Sequence, residues 1–308
     1  MARYFRKLAL LAKIEGTYGT DPVPTGADNA MLGLDVQLTP LAGGEEMRDL
    51  LLPWMGHQGV ILTGNYGLIE FGIEVAGAGA AGTAPAYGPL LRACGMAQTV
   101  NSGVSAVYEP VSAAFEGVTL YYVLDGVRHI LLGCRGNVTM EFAASRIPRF
   151  RFRLLGLLGT VSDQSLPAVT LSAFKVPVPV SKANTTFSLH SYAGATESVS
   201  IDVGNQVEPR LLINHESIQI VDRRATASAV MEAVVLATKN WQTIALGHTT
   251  GALALAHGTV AGNIVEIAAS AAQVGRYGQG QSQGIVNNTL PLMLRPTSGN
   301  DEISITVK

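Results

Sequence analysis

Short runs of alternating apolar and polar residues, punctuated by glycine, proline, asparagine and aspartate, dominate the chain and predict β-strands joined by turns. In the first half the alternation picks out residues 34–38, 68–76, 118–124, 127–133, 137–142 and 150–155. In the second it picks out 198–203, 217–221, 229–236, 252–256, 263–268, 288–294 and 302–307. Asp125-Gly126 sits between two of these runs and predicts a two-residue hairpin, because a type I′ turn needs positive φ at both central positions. One stretch reads as helix instead: Pro85 opens it, residues 86–96 carry it, and Gly95 stops it. A second, shorter helix is predicted over 239–246, capped by Thr238 or Asn240.

The halves share an order of elements. A long strand leads to a helix, then a turn, then a run of strands, around 68–155 and again around 229–307. Between them, 159–183 carries Pro167, Pro177 and Pro179, which favour an extended connection. The chain therefore reads as all-β with minor α, in two domains that are each a β-sandwich or half-barrel with one flanking helix. The boundaries are 1–158, with a long loop at 35–64, an extended linker at 159–183, and 184–308. Residue identity between the halves is negligible, so the repeat is one of architecture and not of sequence.

Composition narrows the class. Of 308 residues 47% are hydrophobic and only 14% charged, against a usual charged share of about 25%. That excludes disorder and suggests a surface largely covered in an obligate oligomer. With 21 basic and 23 acidic residues the net charge is −2, so there is no basic excess to neutralise nucleic-acid phosphates. A mean hydropathy of +0.27 raises the question of a membrane. No unbroken apolar run of about 20 residues answers it, because the most apolar regions, 75–91 and 241–265, are broken by Gly, Thr, Pro, Asn or His. Arg3, Arg6 and Lys7 precede an apolar run over 8–12, shorter than the roughly 7–15 residues of an export signal. The expectation is a soluble protein with no membrane partner.

Candidate chemistry is sparse. Cys94 and Cys134 form no disulfide framework or metal quartet and read as small buried hydrophobes. The 6 histidines, at positions 57, 129, 190, 215, 248 and 257, stand singly, without metal-ligand spacing. No G-x-S-x-G elbow occurs. Gly77-Ala78-Gly79-Ala80-Ala81-Gly82 is a literal G-x-G-x-x-G, but the preceding strand carries Glu70 and Glu74 and no acid follows within 95–107. It reads as a flexible loop. No enzyme activity, cofactor or metal is expected.

Two groups of residues point toward assembly instead. In the strand around 146–154, alternation puts Arg149, Arg151 and Arg153 on one face and Phe150, Phe152 and Leu154 on the other. The arginine ladder repels itself unless acids lie opposite. Those acids are either in the same chain (Glu70, Glu74 or Glu141) or on another subunit. The second group is an apolar cluster inside an otherwise polar loop, with Met47, Leu50, Leu51, Trp54 and Met55 as candidate subunit or ring contacts. A satellite cluster on the protein's own surface is the alternative.

PAYGPLLRACG (85–95), VYEPVS (107–112) and LDGVRHILLGCRGNVTMEF (124–142) resemble the major tail tube protein of long-tailed (siphovirus-type) bacteriophages. So do VGNQVEPR, IQIVDRRATASAVMEA, LATKNW, TTGALALAHGTVAGNIVEIAA and the final SGNDEISITVK. The likeness covers most of the chain and rests on order and phrasing, since the family has no catalytic signature. It implies a structural virion protein of two packed β-sheets flanked by a helix. Its subunits form rings whose inner sheets join into a barrel lumen, and the rings stack into the tube through which DNA is ejected. The implied partners are further copies of the chain and the tail terminator, distal tail and tape measure proteins, with DNA passing through unbound. The implied location is the virion tail, after synthesis in the host cytoplasm. Two tube-like halves imply a trimeric ring with pseudo-sixfold symmetry; a homohexamer with the second domain on the outside is the alternative. A tail terminator, a capsid decoration protein and a β-rich ligand-binding enzyme domain stay open.

Overall fold

The structure, a computed structural model, describes residues 2–308, and in them strands dominate. The first half runs β1 (Leu8–Ile14), β2 (Ala30–Met31), β3 (Leu34–Met47), β4 (Val60–Glu74), α1 (Gly88–Ala93), β5 (Met96–Asn101), β6 (Ser105–Pro110), β7 (Val118–Leu124), β8 (Gly126–Ala143) and β9 (Arg149–Leu158). After β10 (Ser162–Gln164), the second half runs β11 (Thr185–Leu189), β12 (Thr196–Asp202), β13 (Asn205–Leu212), β14 (His215–Arg223) and β15 (Thr226–Glu232). It continues with α2 (Trp241–Leu246), β16 (Thr250–His257), β17 (Val265–Val274), β18 (Gly278–Ser282), β19 (Ile285–Leu294) and β20 (Ser304–Val307).

One antiparallel sheet spans both halves in the order β3-β4-β9-β8-β12-β15-β19-β18. Period-two alternation decides its faces. Ile69, Phe71 and Ile73 of β4, Phe150, Phe152 and Leu154 of β9, and Val138, Met140 and Phe142 of β8 turn inward and are buried. Phe71 stacks on Phe152 with ring centroids 5.6 Å apart, and Tyr87 meets Phe150 edge-on at 5.2 Å. The buried core continues without a break into Val199, Ile201, Ala229, Met231, Leu290 and Leu292.

The strand connections repeat. In the first half the order of paired strands is β3-β4-β9-β8-β7-β1, with α1 between β4 and β7 in sequence. In the second it is β12-β15-β19-β17-β16-β11, with α2 between β15 and β16. The halves are sewn together twice. β8 pairs with β12 (Thr139–Asp202 to Ala143–Ser198), and β20 pairs with both β17 and β6.

Several sequence expectations need correction. Residues 35–64 are not a loop: β3 and β4 extend as a paired arm, Met47 opposite Val60, and only 48–59 lies outside strands. Glycines at 43, 44 and 64 and the Glu45-Glu46 pair masked the arm's alternation, and its register shifts three times. Both helices are shorter than predicted. α1 begins after Tyr87 with Pro89 in its first turn, and the chain leaves it at Gly95 with φ of 75°. α2 is capped by Asn240, whose side chain accepts from the Thr243 N–H at 3.0 Å. The Asp125-Gly126 turn forms as expected, with positive φ at both residues. Residues 159–183 include β10 on β8, and elsewhere are tacked to the first half through Thr170 N–H to Gly26 C=O and Val180 N–H to Arg146 C=O.

Candidate assembly interface

Four features face outward from this scaffold. The first is the arginine ladder. Register places Glu70 opposite Arg153 and Glu74 opposite Arg149 on β4, and Glu141 opposite Arg149 on β8. Arg153 pairs with Glu70 at 3.3 Å, Arg151 with Glu141 at 3.1 Å and Arg149 with Asp35 at 3.7 Å. The arginines thus find their acids within the chain, on both flanking strands, with Asp35 in the place the sequence suggested for Glu74. These pairs are half-exposed and screened by solvent. Replacing Glu70 or Glu141 by Gln is expected to change unfolding free energy by less than about 1 kcal/mol in urea titrations.

The second is the arm tip. Gln58 closes the loop, its Oε1 accepting from the Leu50 N–H at 2.8 Å while its side-chain amide donates to Leu50 C=O. This brings Met47, Leu50, Leu51, Trp54 and Met55 to the arm's end, all exposed, Leu51 and Met55 fully. The ladder lies elsewhere: β4 pairs with β9 only over residues 67–74.

The third feature escaped the sequence reading. The β13–β14 hairpin leaves the sheet between β12 and β15, where the arm leaves between β3 and β4, but it folds back on the first half of its own chain. Buried Arg135 holds it, donating to Ile218 C=O at 2.9 Å, Gln219 Oε1 at 3.1 Å, Phe115 C=O at 2.5 Å and Glu116 C=O at 3.2 Å. Its guanidinium lies 4.5 Å from the centroid of the Tyr18 ring. The Tyr18 hydroxyl accepts from the Ile218 N–H at 2.6 Å and donates to Gly133 C=O at 3.0 Å. Nothing local marks Arg135, because every partner is distant in sequence.

The fourth is the pair of open edges. Among the described residues, β3 has no ladder partner other than β4, and β18 none other than β19. Open edges invite another strand.

Among the described residues nothing resembles a reaction centre. Burial pushes both thiols, Cys94 and Cys134, upward and away from reactivity. Among the described residues no three His, Cys, Asp or Glu converge as metal ligands. The Gly77–Gly82 loop packs on the second half, Gly77 N–H on Asn263 Oδ1 at 2.6 Å and Gly79 N–H on Gly262 C=O at 2.7 Å. A Cβ at Gly77 would lie 2.2 Å from Gly262 C=O, so the glycines serve close packing within the chain. Burial lowers the pKa of His129, His190 and His257 below the ordinary value. A histidine held neutral by the fold contributes its stability above the unfolded value of about 6.5 and loses it as pH falls. The urea midpoint is therefore expected to drop between pH 7 and 5.5, and a midpoint that holds or rises contradicts this.

Open strand edges and an exposed apolar arm tip leave this all-β scaffold with surface free for contacts. The chain belongs to the phage tail tube protein family, whose sequence model matches residues 6–307. No curated protein matches it. The family is structural and not enzymatic, so the chain is a component of the virion tail that self-assembles into a tube and associates with other tail proteins. Among the described residues no helix is long and apolar enough to cross a membrane.

Proposed function

We propose that three copies of this chain close into a ring with pseudo-sixfold symmetry, and that the rings stack into the conduit for DNA ejection. The observation that carries this is the repeated strand order, with the two halves joined edge to edge by β8 and β12 in one sheet. Eight strands per chain leave two open edges, β3 and β18, at opposite ends of that sheet. Three copies joined at those edges supply twenty-four strands, more than the roughly 16–18 that already leave an aqueous channel in porins. The polar face of the sheet lines the lumen. It carries Asp35, Glu70, Glu74, Glu141, Asp202 and Glu232 against Arg149, Arg151 and Arg153, so DNA slides past an acidic wall in which each arginine is engaged.

The arm fits the same plan. The β13–β14 hairpin of the second half rests on the first half, and the arm, leaving the sheet at the corresponding place, rests on the next subunit. Its apolar tip is exposed because its seat belongs to another chain. The tube ends meet the terminator and distal tail proteins, and the lumen houses the tape measure. Electron cryomicroscopy of assembled tubes tests the reading: three chains per ring with both halves lining the lumen supports it. Six chains per ring with one half outside overturns it.

A further inference from the structure

The internal joint between the halves is a template for the joint between chains. Strands β9 and β19 have 10 residues each and hold equivalent places between their neighbours, β17 and β18 together lying along β19 where the single long β8 lies along β9. Laying Arg149 on Ile285 puts Glu141, which faces Arg149, on Ser282, which faces Ile285. On the other side, Glu70 faces Arg153 and Val230 faces Thr289, so Glu70 falls on Val230. Glu70 in turn faces Gln37 of β3, and Val230 faces Ser198 of β12. Gln37 therefore corresponds to Ser198, and Thr39 to Ser200.

An irregularity not used in that alignment agrees with it. The β3 ladder shifts register between Leu34 and Gln37, and the β12 ladder shifts between Thr196 and Ser198. Both strands thus bulge immediately before the residues just equated. Bulges are features of a particular strand, so their coincidence fixes the register.

Within the chain, β8 pairs with β12 with Glu141 opposite Ser200. We infer that β18 of one copy pairs antiparallel with β3 of the next in the corresponding register, Ser282 opposite Thr39. The occupant of each open edge is a second copy of this chain, because the edges are the two sides of a junction the molecule already makes once. Thr39 is exposed and Ser282 half-buried, and neither strand has another partner on that side among the described residues. The inference rests on the trimeric reading for its ring number but not for its register.

Cysteine cross-linking tests it. Directly opposed residues in an antiparallel pair have Cα atoms about 4.5–5.5 Å apart, within the range a disulfide accepts. Tubes of the double variant Thr39→Cys/Ser282→Cys, treated with a mild oxidant, are expected to yield interchain disulfides ending in a closed covalent trimer on non-reducing gels. Each single variant is expected to yield none. Glu141→Cys/Ser200→Cys is the control at the internal joint and is expected to close within one chain. Tubes in which that control closes but Thr39→Cys/Ser282→Cys does not, or cross-links less than Thr39→Cys/Gly278→Cys, overturn the register. A cross-linked series ending at six chains keeps the register and removes the trimer. Should the double variant fail to assemble, the Thr39 to Ser282 Cα distance between adjacent chains in wild-type tubes decides, and a value beyond about 7 Å overturns the inference.

Discussion

Replacing residues 48–59 by an Asn-Gly turn is expected to leave a folded subunit that no longer forms tubes. The geometry permits the splice, because Met47 and Val60 already face each other and a two-residue turn joins such a pair. The removed residues contribute nothing to the core: Leu50, Leu51, Trp54 and Met55 are all exposed. The thermal midpoint should therefore move by no more than about 2–4 °C, the shift that about 1 kcal/mol gives in a chain of this size or smaller. Assembly should respond very differently. Exposed tryptophan and aliphatic side chains gathered on a projecting tip are the anchors that bury at interfaces, and each strong anchor is worth about 2 kcal/mol or more. Losing several raises the concentration needed for polymerisation by at least about a hundredfold. Negative-stain images and sedimentation at matched concentrations read the result. Tubes at the wild-type concentration would show that the tip is only a surface cluster.

Arg135→Ala is expected to cost about 3–5 kcal/mol of unfolding free energy in guanidinium titrations. The side chain is buried and satisfies three backbone carbonyls and one side-chain oxygen drawn from both halves of the chain. Its removal takes that donor from the Phe115 and Glu116 carbonyls, leaves Ile218 C=O to the Tyr18 hydroxyl alone, and loosens the β13–β14 hairpin from its seat. Arg135→Lys should recover little of the loss, since a single ammonium lacks the planar fork that reaches partners on two sides. A loss below about 1 kcal/mol for the alanine variant would mean that the hairpin is held by its apolar contacts alone.

The contrast between these two sites shows what alternation makes legible and what it hides. Phe150, Phe152 and Leu154 against Arg149, Arg151 and Arg153 is a local pattern, and the strand and both of its faces follow from it. Asp125-Gly126 is likewise a local demand on φ. The apolar tip at Met47–Met55 was visible as composition, but the arm carrying it was not, because three glycines and a pair of glutamates interrupt the run of side chains while the backbone ladder continues. The partners of the arginines were nameable as acids, and Asp35 was missed because it enters through a bulge with φ of 52°. The contacts of Arg135 and the β8–β12 joint exist only as pairings between residues far apart in the chain. No single-sequence period encodes them.

The closing position of β20 also sets a clock. Tyr108 of β6 waits for Ile305 of β20, and at the usual 5–20 residues per second of synthesis that interval lasts about 10–40 s. During it the β6 edge stands open, while the chain that will cover it is still in the ribosome. Contacts so distant in sequence are slow to form even after release. Until β20 has been made a nascent chain therefore carries an uncovered β6 edge, and only then are β6 and β17 bridged.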